Sequence, residues 1–401
     1  MRVTDLQLAA REGLTRTSAR LAFEDRDAPD DILWFDLPAA VAGEVEPSAN
    51  AFLPSALAHA MQKGERRVVI DGAVCPRHLE GLRTVAAIFS WWYPELTAPQ
   101  IETTVATSAP TPTARRSAIC LSGGVDAFAA LQENHLTIPR DHPGFVQDAL
   151  LYFGLNSYDF DTGPAGAEPN RERLLAFDAH RQRLEKFGEQ TGVTLIPVRT
   201  NVRALYASWK EWRAVGLTAA LVAAAHALPH RVRALTIASN GLGISSHWIG
   251  THPMLDPHFS SLALDVRTMH STLPRWEKVR RVAEWPEALA ALRVCFMIDI
   301  PGDGTLNCGR CEKCVRTMLE LLLCGALGRA STFPGDDVTP DMIMAIPFAK
   351  LAKLFFLQFK DGLASIGRHD LVRAIDEQIA MQDRSERGEA RHRWRRWLRF
   401  P

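Results

Sequence analysis

"RRSAICLSGGVDAFAAL" (residues 115–131) sets a short apolar run in front of Ser-Gly-Gly, an aspartate and a second apolar run with helical spacing. A chain that leaves a buried strand and enters a helix exposes backbone N–H groups at the first helical turn, with the positive end of the helix dipole behind them. Gly123 and Gly124 carry no Cβ, so the turn can adopt unusual φ values and let a phosphate reach those amides. Ser122 adds a hydroxyl donor. Asp126 does not bind phosphate itself; at a helix start it caps free amides or holds Mg²⁺ against the phosphates. The spacing fits neither Gly-x4-Gly-Lys-Ser/Thr nor Gly-x-Gly-x-x-Gly. The plain alternative is a glycine turn that only packs helix against sheet.

Outward from this stretch, strand and helix signals alternate. "SAICL" leads into the helix that starts at Val125, and "ALLYFG" (149–154) precedes a long helical pattern from Arg171 to Gln190. "VTLIPV" (193–198) precedes "GLTAALVAAAHAL" (216–228), and "ALTIAS" (234–239) follows. Apolar strands separated by helices predict an α/β fold, a doubly wound parallel sheet with ligands bound beyond the strand C-termini. Upstream, "ILWFDL" (32–37) and "RRVVIDG" (66–72) read as strands, and "FLPSALAHAMQKG" and "RHLEGLRTVAAIFSWW" as helices. The expected organisation is a small N-terminal α/β domain over 1–106, a linker over 107–116 ("TSAPTPTARR"), a main domain over 117–325 and a helical C-terminal region over 326–401.

The 401 residues are 47% hydrophobic and 23% charged, which excludes a disordered chain. Lys plus Arg and Asp plus Glu number 46 each, so net charge gives no general attraction to nucleic acid or anionic membrane. No apolar run approaches the roughly 20 residues of a membrane span, and the start lacks a signal-peptide core; a cytoplasmic protein with no membrane partner is expected. Of seven cysteines, Cys75 and Cys120 are isolated, whereas Cys295, Cys308, Cys311, Cys314 and Cys324 crowd together.

Cys295, Cys308, Cys311 and Cys314 follow the spacing Cys-x12-Cys-x2-Cys-x2-Cys. Four thiolates make a closed tetrahedral Zn²⁺ site, structural rather than catalytic, whose net negative charge Arg293, Arg310, Lys313 and Arg316 stand near enough to offset. An iron-sulfur cluster, a redox disulfide pair and chance spacing compete with zinc. Cys324 lies in an apolar helix pattern and reads as a core residue.

"LSGGVDA" resembles the Ser-Gly-Gly-x-Asp-Ser signature of the PP-loop ATP pyrophosphatases, enzymes that split ATP into AMP and pyrophosphate. Ala127 stands where that family has serine; the missing hydroxyl contact is worth roughly 1.5 to 3 kcal/mol. Together with the cysteine cluster, residues 117–325 resemble the 7-cyano-7-deazaguanine synthase branch. Here "RWEKVRRVAEWPEALAALRVC" and "CGRCEKCVRTMLEL" take the places flanking and holding that family's cysteines; the first cysteine gap is longer than usual there, and the N-terminal 106 residues have no counterpart. The resemblance implies a PP-loop fold with a zinc-binding segment over 295–314, and ATP held by Leu121, Ser122, Gly123, Gly124, Val125, Asp126 and Ala127, with adenine near Phe153 and Gly154. It implies adenylation of a carboxylate such as a 7-deazaguanine acid, then attack by an amine or ammonia, with ATP, Mg²⁺ and structural Zn²⁺ required. A protein partner for the N-terminal domain and a homodimer are compatible with it.

Lys278 is the candidate cation for phosphate charge; its plain alternative is a solvated helix lysine paired with Glu277 or Glu284. The polar stretch 239–262 is expected over the ligand edge as a substrate loop carrying Asn240, His252, Asp256 and His258. A metal site of the two histidines and the aspartate competes with a substrate-contacting or simply hydrogen-bonded loop. The Arg- and Trp-rich tail "RSERGEARHRWRRWLRFP" suits nucleic acid, a membrane surface or docking on the protein itself. Two rival functions stand beside adenylation: a PP-loop tRNA sulfur transferase using a cysteine outside the cluster, and a degenerate nucleotide-binding regulatory module marked by Ala127.

Overall fold

The computed structural model describes residues 1–107, 115–156, 159–160, 169–239, 251–295, 304–346 and 350–397. It divides into two compact units, Met1–Arg275 and Trp276–Pro401. Among the described residues no helix is long and apolar enough to cross a membrane.

The first unit is α/β. Its strands are β1 (Arg2–Arg11), β2 (Leu14–Ala22), β3 (Asp31–Pro38), β4 (Arg67–Val74), β5 (Gln100–Val105), β6 (Arg116–Cys120), β7 (Val146–Phe153), β8 (Thr194–Thr200), β9 (Val232–Ala238) and β10 (Asp265–Met269). They form one ten-stranded sheet in the order β10-β9-β6-β7-β8-β3-β2-β1-β4-β5. The pairs from β10 to β8 are all parallel, as are β1 with β4 and β4 with β5; β8 meets β3 antiparallel, and β1, β2 and β3 form an antiparallel meander.

Chain order within the parallel part decides where a ligand can sit. From β6 the chain steps outward to β7 and β8, then returns to the other side of β6 for β9 and β10. The direction of winding therefore reverses between β6 and β9, and in open α/β sheets the crevice beyond the strand C-termini at such a reversal is where ligands bind.

Helices cover both faces. On one lie α3 (Val125–Thr137) and α4 (Arg171–Thr191), where Phe128 meets Phe187 at 5.0 Å and Phe153 of β7 meets Phe177 at 5.4 Å. On the other, Tyr152, the neighbour of Phe153, donates its hydroxyl to the carbonyl of Leu221 at 2.7 Å. Leu221 belongs to α6 (Leu217–His226), which continues a π turn (Trp212–Gly216) that follows the single turn α5 (Trp209–Glu211). The helices α1 (Ala49–Lys63) and α2 (Pro76–Trp92) pack with α6 on this second face.

The N-terminal 106 residues are thus no separate domain. β3 pairs directly with β8 through Phe35–Thr200 and Asp36–Arg199, and one apolar core runs from Met1 to Val266. Arg231 fastens the two regions further, bonding buried Asp148 at 2.8 and 2.9 Å and Glu44 at 2.9 Å. The chain divides at Arg275, not near residue 116; residues 108–114 of the expected linker lie outside the described residues.

The second unit is helical: α7 (Arg275–Ala283), α8 (Pro286–Ala291), α9 (Glu312–Leu323), α10 (Pro340–Met344), α11 (Lys350–Leu357), α12 (Lys360–Ser365) and α13 (His369–Trp397). It begins well before the expected boundary at 326 and contains the cysteine cluster.

Candidate active site and metal centre

The Ser-Gly-Gly turn leaves the C-terminal end of β6, at the reversal point. Buried Leu121 keeps the turn on the sheet by donating its N–H to the carbonyl of Leu150 at 2.9 Å. Gly123 has φ +71°, in the left-handed region that glycine enters without steric cost. Gly124 is the N-cap of α3 and makes no side-chain cap bond. The exposed Ser122 hydroxyl accepts the N–H of Gly124 at 3.3 Å, which closes a small turn on itself. Asp126, half-buried, lies in the first turn, whereas Val125 and Ala127 are buried. Burial of Ala127 means that a hydroxyl at this position would enter packed surroundings rather than open solvent.

His180 of α4, which sequence reasoning missed, donates from Nε2 to the carbonyl of Ser122 at 3.0 Å and is itself buried. It thereby fixes the peptide that starts the turn. A lone histidine 58 residues away in a helix carries no local signal of this contact.

At the end of β7, Phe153 does not face the ligand edge. Its ring is buried among Phe160 at 5.7 Å and Phe177 at 5.4 Å, so only its backbone is available to a nucleotide. Gly154, φ +98°, lies so close to β8 that a Cβ would stand 1.7 Å from the Thr200 carbonyl oxygen. Its N–H bonds Asp159 Oδ2 at 2.9 Å, and Asp159 also accepts the Asn156 N–H at 3.0 Å; burial pushes this carboxyl above its usual range.

The stretch after β9 is a hydrogen-bonded structural loop over its described part; Asn240 lies outside the described residues. Asp256 is buried and accepts the Thr218 hydroxyl at 3.0 Å, the His252 N–H at 3.0 Å and the Thr268 hydroxyl at 2.8 Å. Burial pushes its carboxyl up to about 6. His252 is buried edge-on to Trp92 at 5.1 Å, and its Nδ1 accepts the Met254 N–H at 3.1 Å. His258 is half-buried, with its carbonyl pressed on the backbone of α2 at Gly81. These three residues do not form a metal set: among the described residues, the four cysteines are the one group of three or more that could hold an ion.

Those cysteines converge as the spacing predicts. Their sulfurs all lie within 4.8 Å of one another, with Cys295–Cys311 at 3.9 Å and Cys308–Cys314 at 3.8 Å. Four sulfurs placed about 2.3 Å from one Zn²⁺ at tetrahedral angles lie about 3.8 Å apart, so the residues fit a metal such as zinc. Cys311 caps α9 and donates its N–H to Cys308 Sγ at 3.3 Å, and Cys314 sits in the first turn of the same helix. The crowded thiols resist ionisation without a cation: the bond to Cys295, first, holds Cys311 up at about 12. Of the four expected counter-charges, Arg316 pairs with Glu312 at 3.3 Å and lies over the Phe355 ring at 4.4 Å.

Lys278 is on α7 in the second unit and is fully buried, so the solvated-lysine reading does not hold. Its neighbour Glu277 pairs with Arg280 at 2.7 Å. No family model, curated protein or solved structure matches the chain. The resemblance therefore rests on the residues of the turn and the cluster alone.

Proposed function

We propose that this protein binds ATP at the Ser122–Asp126 turn and uses it to adenylate a carboxylate, forming AMP and pyrophosphate overall. The observation that carries the reading is the position of the turn: a left-handed glycine and a helix start with glycine as its N-cap, at the end of β6, where the sheet reverses its winding. An oxygen of the acid attacks the α-phosphorus, the bond to the bridging oxygen breaks, and pyrophosphate leaves. An amine or ammonia then attacks the acyl carbon and releases AMP. The helix amides would hold the departing phosphates, and Asp126 would organise Mg²⁺. The acid is of the 7-deazaguanine type if the resemblance extends to substrate.

The three cysteines outside the cluster argue against sulfur transfer. Cys75 is buried with its Sγ accepting the Leu262 N–H at 3.2 Å; burial pushes the Cys120 thiol far up and that of Cys324 to about 11. Neither Cys120 nor Cys324 is poised as a thiolate at neutral pH. The test is product analysis. Protein incubated with ATP, Mg²⁺, ammonia and a panel of carboxylic acids should yield AMP and pyrophosphate with at least one acid, and Asp126→Ala should nearly abolish this. ATP binding without pyrophosphate release under any acceptor would favour the regulatory module.

A further inference from the structure

The metal centre draws its ligands from two places. Cys308, Cys311 and Cys314 are neighbours around the start of α9, but Cys295 comes from the far side of a twelve-residue gap. Asn307, fully buried, spans that gap at its base. Its Oδ1 accepts the N–H of Val294 at 2.8 Å and of Cys295 at 3.1 Å. Its Nδ2 donates to the Leu292 carbonyl at 2.8 Å and to Thr332, at 3.2 Å to the carbonyl and 3.1 Å to Oγ1. The backbone N–H groups of Leu306 and Asn307 both bond the Thr332 carbonyl at 3.0 Å, and Thr332 is buried too. One carboxamide thus uses every donor and acceptor it has to tie the arm bearing Cys295 to the residue next to Cys308.

We infer that Asn307 is a positioning residue for the metal centre: it holds Cys295 at its site before the ion arrives, so that binding energy is not consumed in closing the gap. This rests on the reading of the four cysteines as a metal site. Loss of a group that orients a metal ligand typically weakens metal binding by about 10- to 100-fold. Charged residues near the centre act on all four thiolates, whereas Asn307 acts on the placement of one.

The experiment measures zinc affinity of the full chain by competition with a chromophoric chelator, in wild type, Asn307→Ala and Asn201→Ala. Asn201 is a matched control in the first unit, buried and clamping β3 in the same way, with Oδ1 on the Trp34 N–H at 3.0 Å and Nδ2 on the Ile32 carbonyl at 2.6 Å. Asn307→Ala should bind zinc about 10- to 100-fold more weakly while Asn201→Ala stays within twofold of wild type. Equal losses in both variants, or no loss in Asn307→Ala, overturns the inference. Should Asn307→Ala not fold, hydrogen exchange on chelator-treated wild type decides: the Val294 and Cys295 amides should stay protected without metal, and free exchange at both overturns it. A wild-type chain that binds no zinc removes the metal reading, and this inference with it.

Discussion

Replacing Gly123 by alanine separates a phosphate-binding turn from a packing turn. Gly123 has φ +71°, and an L-residue held there costs about 1 to 2 kcal/mol. The turn can relieve that strain by rotating its peptides, which would turn its amides away from a phosphate bound there. Each hydrogen bond lost to a charged phosphate is worth roughly 1.5 to 3 kcal/mol, so losing one weakens ATP binding by about 10- to 150-fold. Gly192 supplies the control. Its φ is +77°, and nothing lies within 4 Å of an added Cβ, so Gly192→Ala carries the same backbone strain at the end of α4 without touching the turn. Titration calorimetry with ATP, paired with thermal melts, should show similar stability losses in the two variants and weakened ATP binding in Gly123→Ala alone. If both variants bind ATP within threefold of each other, the turn only packs helix against sheet and the reasoning fails.

Purified protein should carry about one zinc per chain, and Cys311→Ser should lower both metal content and folding yield; elemental analysis without zinc, or iron-sulfur absorption, contradicts this. Gly154→Ala should destabilise the first unit by at least about 2 kcal/mol, because the Thr200 backbone blocks the new Cβ and φ is +98°; denaturant midpoints within experimental error of wild type would refute it. Two of the buried groups act in opposite directions as pH falls. Burial lowers His226 to about 4 from 6.5, so its neutral form contributes about 3 kcal/mol above pH 6.5 that is lost as pH falls toward 4. Asp256 is raised from 3.8 to about 6, so the folded state binds more protons there and gains about 3 kcal/mol as pH falls from 6 to 3.8. Asp256→Asn removes the offsetting gain, and its melting temperature should fall more steeply than wild type between pH 6 and 4; parallel profiles would contradict this.

The parallel strands around the site were legible because they are buried on both faces and read as apolar runs. β1, β5 and β10 were not: each buries essentially one side chain, Val3, Ile101 and Val266, so their place is set by backbone ladders rather than by side-chain pattern. The merging of the N-terminal region into one sheet depends on two residue pairs between β3 and β8, which no local pattern records. At the site, the glycine turn and the cysteine spacing are local chemistry and could be read directly. Phe153 could not be placed, since a wholly apolar strand does not say which residues face which side; its neighbour Tyr152 takes the opposite face. Asp256 looked like a ligand because polar residues in a long loop usually face solvent. Its three partners lie on α6, on β10 and in its own loop, and they turn it into a buried brace. His180 and Asn307 act through contacts 58 and 12 or more residues away, beyond the reach of any spacing rule.

The most direct measurement is a crystal structure of the protein soaked with α,β-methylene ATP and Mg²⁺, which the proposed reaction cannot cleave. The account predicts phosphate density bonded to the backbone amides between Gly123 and Asp126, at the C-terminal end of β6. Nucleotide bound elsewhere, or an empty turn at saturating concentration, would contradict it.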